Sequence, residues 1–160
     1  MQMVHNIDFK KLSICCGISL GVGALSSLIS MFGRENFENA VKPPLNPPQW
    51  LFPIVWTILF ILMGISSYLI YISNSEDEEK NTALTIYAVQ LLVNFFWPII
   101  FFNLSAYLFA SIWILLLLGL IIAMIISFHK INKTAAFLQL PYLIWVMFAT
   151  YLTIAITILN

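Results

Sequence analysis

Charged side chains are scarce in this sequence: seven Lys or Arg and seven Asp or Glu among 160 residues, 9% where a soluble domain carries about 25%, against 61% hydrophobic residues. Too little charge is present to cover a water-facing surface, which excludes an ordinary soluble domain and places the chain in a bilayer. The gaps between charges are long. Five stretches, about 12–32, 51–73, 82–102, 107–128 and 135–159, contain no Asp, Glu, Lys or Arg. About 20 apolar residues cross a hydrocarbon core about 30 Å thick. Backbone groups in lipid must be satisfied internally, and the stretches are too long for barrel strands, so they are expected to be helices. The predicted fold is an all-α integral membrane protein, one five-transmembrane-helix bundle over residues 1–160.

Other absences bear on mechanism. Ion-coupled carriers, proton pumps and intramembrane hydrolases keep ionisable groups inside their spans; the five stretches hold no acid, base or histidine. There is no Ser/His/Asp set, no H-E-x-x-H and no phosphate-cradling glycine loop, and His5 and His129 fall outside the spans. A conventional hydrolase, a metal enzyme and a driven pump are set aside; no metal site, no required cofactor and no nucleic-acid partner is expected. Cys15 and Cys16 are neighbours on the first helix, about 100° apart, and form no useful staple.

Most of the charge sits in the connections: "GRENFENAVKPPLNPPQ", "NSEDEEKN", "NLSA" and "HKINKT". The acidic run Glu76 to Glu79 reads as a solvated turn. Lys10, Lys11, Lys80, Lys130 and Lys133 fall on one side, and Arg34 and Lys42 on the other, which predicts the N-terminus inside and the proline loop outside, in a cell membrane. The first apolar run exceeds a signal peptide's core and lacks an A-x-A-like site, so it is expected to be retained. Ser13, Gly17 and Gly21 on helix 1, and Gly119, Ala123 and Ser127 on helix 4, recur every four residues and mark packing faces, within one chain or between chains.

Tryptophan is what is distinctive. On this topology Trp50 opens helix 2 at the outer face, Trp56 lies under two turns deeper, Trp97 and Trp113 lie near the outer ends of helices 3 and 4, and Trp145 lies about midway along helix 5. An aromatic belt would populate both interfaces. On helix 3, Tyr87, Gln90, Asn94, Trp97 and Phe101 form one stripe; on helix 5, Tyr142, Trp145, Ala149 and Leu152 form another. Amides avoid lipid, so Gln90 and Asn94 are expected to face inward and bring Trp97 with them. An inward aromatic face with a few amides and the small Ala149 beside Trp145 suits a pocket for a large flat apolar ligand. Interhelical hydrogen bonding by Gln90 and Asn94 without a ligand is the competing account. In "KPPLNPPQW", proline fixes φ and extends its predecessor, so residues 33–50 are expected to form a stiff lid over the cluster, or a plain connector delivering helix 2.

Three segments, "KPPLNPPQWLFPIVWTILFILMGISSYLIY", "QLLVNFFWPIIFF" and "LPYLIWVMFATYL", resemble in order the tryptophan-rich sensory protein and translocator protein family, also called peripheral-type benzodiazepine receptors. The resemblance implies a five-helix bundle, commonly a homodimer, that binds protoporphyrin IX and other tetrapyrroles and, in some members, sterols and benzodiazepine- or isoquinoline-type drugs. Some bacterial members degrade protoporphyrin in light. Carried over by position, Trp50 and Trp145 are expected to serve that chemistry; Ile54, Asn94, Trp97, Ala149 and Leu152, with Gln90 and Tyr142 from the stripes, are expected to form the pocket; and Pro43, Pro44, Pro47 and Pro48 are expected to form the lid. A non-catalytic porphyrin or sterol carrier, or a sensor acting through partner proteins, is the alternative. The sequence departs from the family pattern in having no basic residue after Lys133 to complete a sterol motif, and in carrying Phe95 and Thr153 where tryptophan and asparagine are common.

Overall fold

Asp8 starts the first helix: its carboxylate accepts from the backbone N–H groups of Lys10 and Lys11 at 3.1 and 3.2 Å, satisfying two donors that a helix start leaves free. The computed structural model describes residues 6–160, so His5 lies outside the described residues. Its helices are α1 (Phe9–Ser30), which runs through a 3-10 turn (Met31–Gly33) into the short α2 (Arg34–Glu38), then α3 (Leu51–Tyr71), α4 (Asp77–Pro98) with a π turn over Ile99–Asn103, α5 (Tyr107–Ile131), α6 (Lys133–Leu138) and α7 (Leu140–Leu159). Five helical runs are long and apolar enough to cross a membrane, and no strand occurs among the described residues. The chain is an all-α, multi-pass membrane protein.

Three boundaries differ from expectation. The acidic run is helical: Glu76 is the N-cap and Asp77, Glu78 and Glu79 fill the first turn of α4, where carboxylates are favoured by the helix dipole. The expected lid of residues 33–50 is shortened, because Arg34–Glu38 is helical and only residues 39–50 form an irregular connection. The last span is broken at Gln139, since Pro141 has no N–H to return to Phe137 and cannot continue the ladder from α6.

The spans close a ring: α1 packs on α3 and α4, α4 on α5, and α5 on α7, while α6 bridges α5 and α3 at the lysine-bearing end. Apolar burial drives little of this in lipid, so close backbone approach and interhelical hydrogen bonds carry more of it. Gly64 lets α1 come so near that a Cβ there would stand 2.5 Å from Cys16 Cα. Gly33 is similarly pressed on the backbone of Phe102 and Asn103. Hydroxyls pin the neighbours: Ser19 Oγ donates to Phe60 O at 2.7 Å, Ser26 Oγ to Phe95 O at 2.8 Å and Ser66 Oγ to Ala135 O at 2.7 Å. Gly17, Gly21 and Gly119, by contrast, have nothing within 4 Å, so those rows face away from the chain's own helices.

Candidate functional site

α3 and α7 make no comparable packing contact, and at the loop end the space between them, closed by α1 and α4, is a cavity of about 160 Å³. Helical phase decides which side chains reach it. On α3 the positions Pro53, Trp56 and Phe60 fall on one face and line the cavity, joined by Phe52. The outward face carries Ile54, Ile58 and Ile61, with Trp50 at the N-cap, and these are 51%, 53%, 38% and 66% exposed and point away from the bundle. Neither Trp50, expected by position to serve the light-driven chemistry, nor Ile54, expected by position in the pocket wall, lines the cavity, and Trp56 stands in the wall.

α4 supplies Asn94, Trp97, Pro98 and Phe101, and α7 supplies Trp145, Ala149, Leu152, Thr153 and Ile156. The wall is strongly aromatic. Trp97 stacks on Phe101 at 5.2 Å between centroids, Phe52 meets the edge of Trp145 at 5.8 Å, and Trp56 lies 5.7 Å from Phe60. Each geometry is one that ring quadrupoles favour. Trp113 stands elsewhere: its Nε1 donates to Val93 O at 2.7 Å, fixing α5 to α4.

Gln90 and Tyr142 do not line the cavity. They lie fully buried beside its wall, where Asn94 Nδ2 donates to the Tyr142 hydroxyl at 2.7 Å and that hydroxyl donates to Gln90 Oε1 at 2.8 Å. The competing account of these amides as interhelical hydrogen-bonding groups thus describes Gln90, while Asn94 both joins the chain of bonds and reaches the cavity.

Of the connection, Asn46 and Gln49 line the cavity, and none of Pro43, Pro44, Pro47 and Pro48 does. The prolines shape the segment rather than contact its contents, and its far end is tied down. Asn160 pairs both ways with the backbone of Val41, at 3.0 and 2.9 Å, and the Tyr151 hydroxyl donates to Pro44 O at 3.1 Å. Leu45 takes a left-handed φ of 69°, which reverses the chain before Asn46.

Three polar atoms of wall residues are buried with no hydrogen-bond partner: Trp97 Nε1, Trp145 Nε1 and Asn46 Oδ1. One wall residue carries charge. Arg34, at the mouth, makes its one side-chain hydrogen bond among the described residues to Ser27 Oγ at 3.4 Å, and among them it has no ion-pair partner. Its position at the start of α2, inside a stretch expected to be loop, hid it from sequence reasoning; its spacing of four from Ser30 on the same continuous helical run was the available signal.

A family model described as TspO/MBR family matches residues 15–159. The chain belongs to the TspO/MBR family. It is similar to the tryptophan-rich protein TspO of Chlorobaculum tepidum, 38% identical over 156 residues that cover 97% of this chain and 99% of the relative. The tryptophan-rich sensory protein of Cereibacter sphaeroides is 32% identical over 145 residues, 91% of this chain and 86% of its own. The translocator protein of Bos taurus is 36% identical over 118 residues, covering 73% of this chain and 70% of its own. Within this TspO/MBR chain the matched region takes in every cavity-lining residue, so the aromatic wall belongs to the family portion of the fold.

Proposed function

We propose that the cavity binds a flat tetrapyrrole, with protoporphyrin IX as the defining ligand, and that the bundle is a receptor for such molecules in a cell membrane, its N-terminus inside. One observation carries the reading: Trp56, Trp97 and Trp145 surround a single hollow, and the indole nitrogens of the last two are buried without a partner. An unmet buried donor is destabilising by about 1–3 kcal/mol, so a ligand that offers acceptors there is favoured over an empty site. Ring burial adds about 25 cal/mol per Å².

The hollow of about 160 Å³ is smaller than the roughly 300–1,000 Å³ of pockets for drug-sized ligands. The connection over residues 39–50 therefore has to lift, and the bonds from Asn160 and Tyr151 set how readily it does so. Light-driven oxidative breakdown of the porphyrin, with dissolved dioxygen as the oxidant that opens the ring, is the chemistry this wall supports, because an indole in contact with a photoexcited ring can donate one electron to it, leaving an indole radical cation and a porphyrin radical anion for dioxygen to react with. Trp145 holds that role here, with Trp56 and Trp97 beside it, and Trp50 on the lipid face has no direct part.

The test is the absorbance of bound protoporphyrin IX in light and dark. Wild-type protein should bleach it faster than detergent alone, and Trp145→Phe should keep binding while slowing bleaching several-fold. Bleaching no faster than in detergent would leave a carrier or sensor, a reading favoured by a wall with no acidic or imidazole side chain. The open row of Gly17 and Gly21 gives the proposed homodimer a face on α1. Gly21→Leu should then convert dimer to monomer in detergent, and an unchanged mass would place the interface elsewhere.

A further inference from the structure

The charge at the cavity mouth says which flat molecules the site prefers. Ser26, Ser30 and Arg34 follow one another at four-residue spacing along the continuous run of α1 and α2, so one wall leads from the interior up to a guanidinium at the mouth. Arg34 is exposed and has no carboxylate within ion-pair reach among the described residues; its one side-chain hydrogen bond among them is the long bond to Ser27 Oγ at 3.4 Å. The other charged residues nearby are not themselves in the wall, although two of them engage wall residues. Glu38 accepts from Gln49 at 3.5 Å, Lys42 sits over the Phe37 ring at 5.1 Å, and Glu35 lies on α2 outside the wall. These four charges sum to zero, so the mouth exerts no broad attraction for anions; what it offers is one local planar fork.

The rest of the wall holds no carboxylate to pair with that fork. Ser26, Ser30 and Thr153 spend their protons on backbone carbonyls, and two indole N–H groups stand without partners. A guanidinium engages a carboxylate through two parallel bonds, a geometry that a hydroxyl or an ester carbonyl cannot match. An apolar aromatic hollow with such a fork at its rim fits an amphiphile whose plate enters the bundle and whose acid stays at the interface. We propose that this cavity selects flat ligands carrying a carboxylate at one edge, with Arg34 gripping the carboxylate at the mouth, over neutral ligands of the same shape. The proposal rests on the tetrapyrrole reading of the cavity and narrows it to acidic members.

Protoporphyrin IX and its dimethyl ester share a ring and differ at the edge, so they serve as the probes. Each is titrated against wild type, Arg34→Gln and Arg34→Lys in the same detergent. Reading the ratio of affinities between proteins for one ligand cancels the ligand's own partitioning into micelles. Arg34→Gln should weaken the free acid about tenfold and leave the ester within twofold, Arg34→Lys should fall between, and raised salt should weaken the acid on wild type and Arg34→Lys but not on Arg34→Gln. An equal loss for acid and ester in Arg34→Gln, or no loss for either, would overturn the proposal while leaving the tetrapyrrole reading intact. Failure of wild type to bind either porphyrin would overturn both. Retained ester binding in Arg34→Gln also shows that the variant is folded.

Discussion

Tyr142→Phe isolates the bonds beside the cavity from the cavity itself. The Tyr142 hydroxyl accepts from Asn94 at 2.7 Å and donates to Gln90 at 2.8 Å, joining α7 to α4 at a point where Tyr142 and Gln90 are both 0% exposed. Interhelical side-chain bonds in membranes contribute about 0.6 kcal/mol on average and up to about 1.7, so losing both should destabilise the fold by about 1–3 kcal/mol. The loss is uneven. Asn94 reaches the cavity and can find water or ligand there, whereas Gln90 retains only a weak 3.9 Å contact from its amide nitrogen to Met63 Sδ, and its carbonyl is stranded. Adding Gln90→Leu to Tyr142→Phe should therefore recover part of the loss. The assay is reversible unfolding in mixed micelles for the two single variants and the double, with porphyrin affinity measured alongside. Affinity should change by less than about threefold, because the hydroxyl contributes nothing to the wall. A Tyr142→Phe protein as stable as wild type, or a double variant worse than the sum of the singles, would refute the assignment of these groups to structure.

Two further outcomes follow from the packing. Gly64→Ala should destabilise by about 1–3 kcal/mol, since its Cβ would meet the α1 backbone at 2.5 Å, while Gly17→Ala, with open space around it, should be neutral or stabilising in monomeric protein; thermal melts compare the two. Asn160→Ala removes both bonds to Val41 and should speed porphyrin association several-fold in stopped-flow measurements with little change in melting temperature, because these bonds hold the connection rather than the bundle.

The five spans were legible because lipid forbids charge along about 20 residues; four charge-free stretches lie within observed runs, and the second, 51–73, overruns Leu51–Tyr71 by two residues. Their ends were not, since the same charges suit a loop and a helix terminus: Asp77 to Glu79 looked like a turn but cap α4, and Arg34 looked like loop but begins α2. The stripes on α4 and α7 were readable where an amide or a small residue fixed the inward side, and they bring Asn94, Trp97, Trp145, Ala149 and Leu152 to one cavity. The α3 segment before Met63 has no such marker. Apolar residues surround the helix there, so Trp50 was preferred to Trp56 on positional resemblance alone, whereas packing against α1 at Gly64 and Ser19 goes with Trp56 in the wall. That the proline segment is an irregular connection was legible; that Asn46 and Gln49 rather than the prolines face inward goes with the left-handed turn at Leu45, which no composition rule predicts.

The central claim is that flat ligands sit among Trp56, Trp97 and Trp145 and not against Trp50. Equilibrium titration of protoporphyrin IX against wild type, Trp145→Ala and Trp50→Ala tests it most directly. Loss of one aromatic contact should weaken binding about three- to tenfold in Trp145→Ala, and Trp50→Ala should bind within twofold of wild type. Weakened binding in Trp50→Ala with Trp145→Ala unchanged would contradict the account.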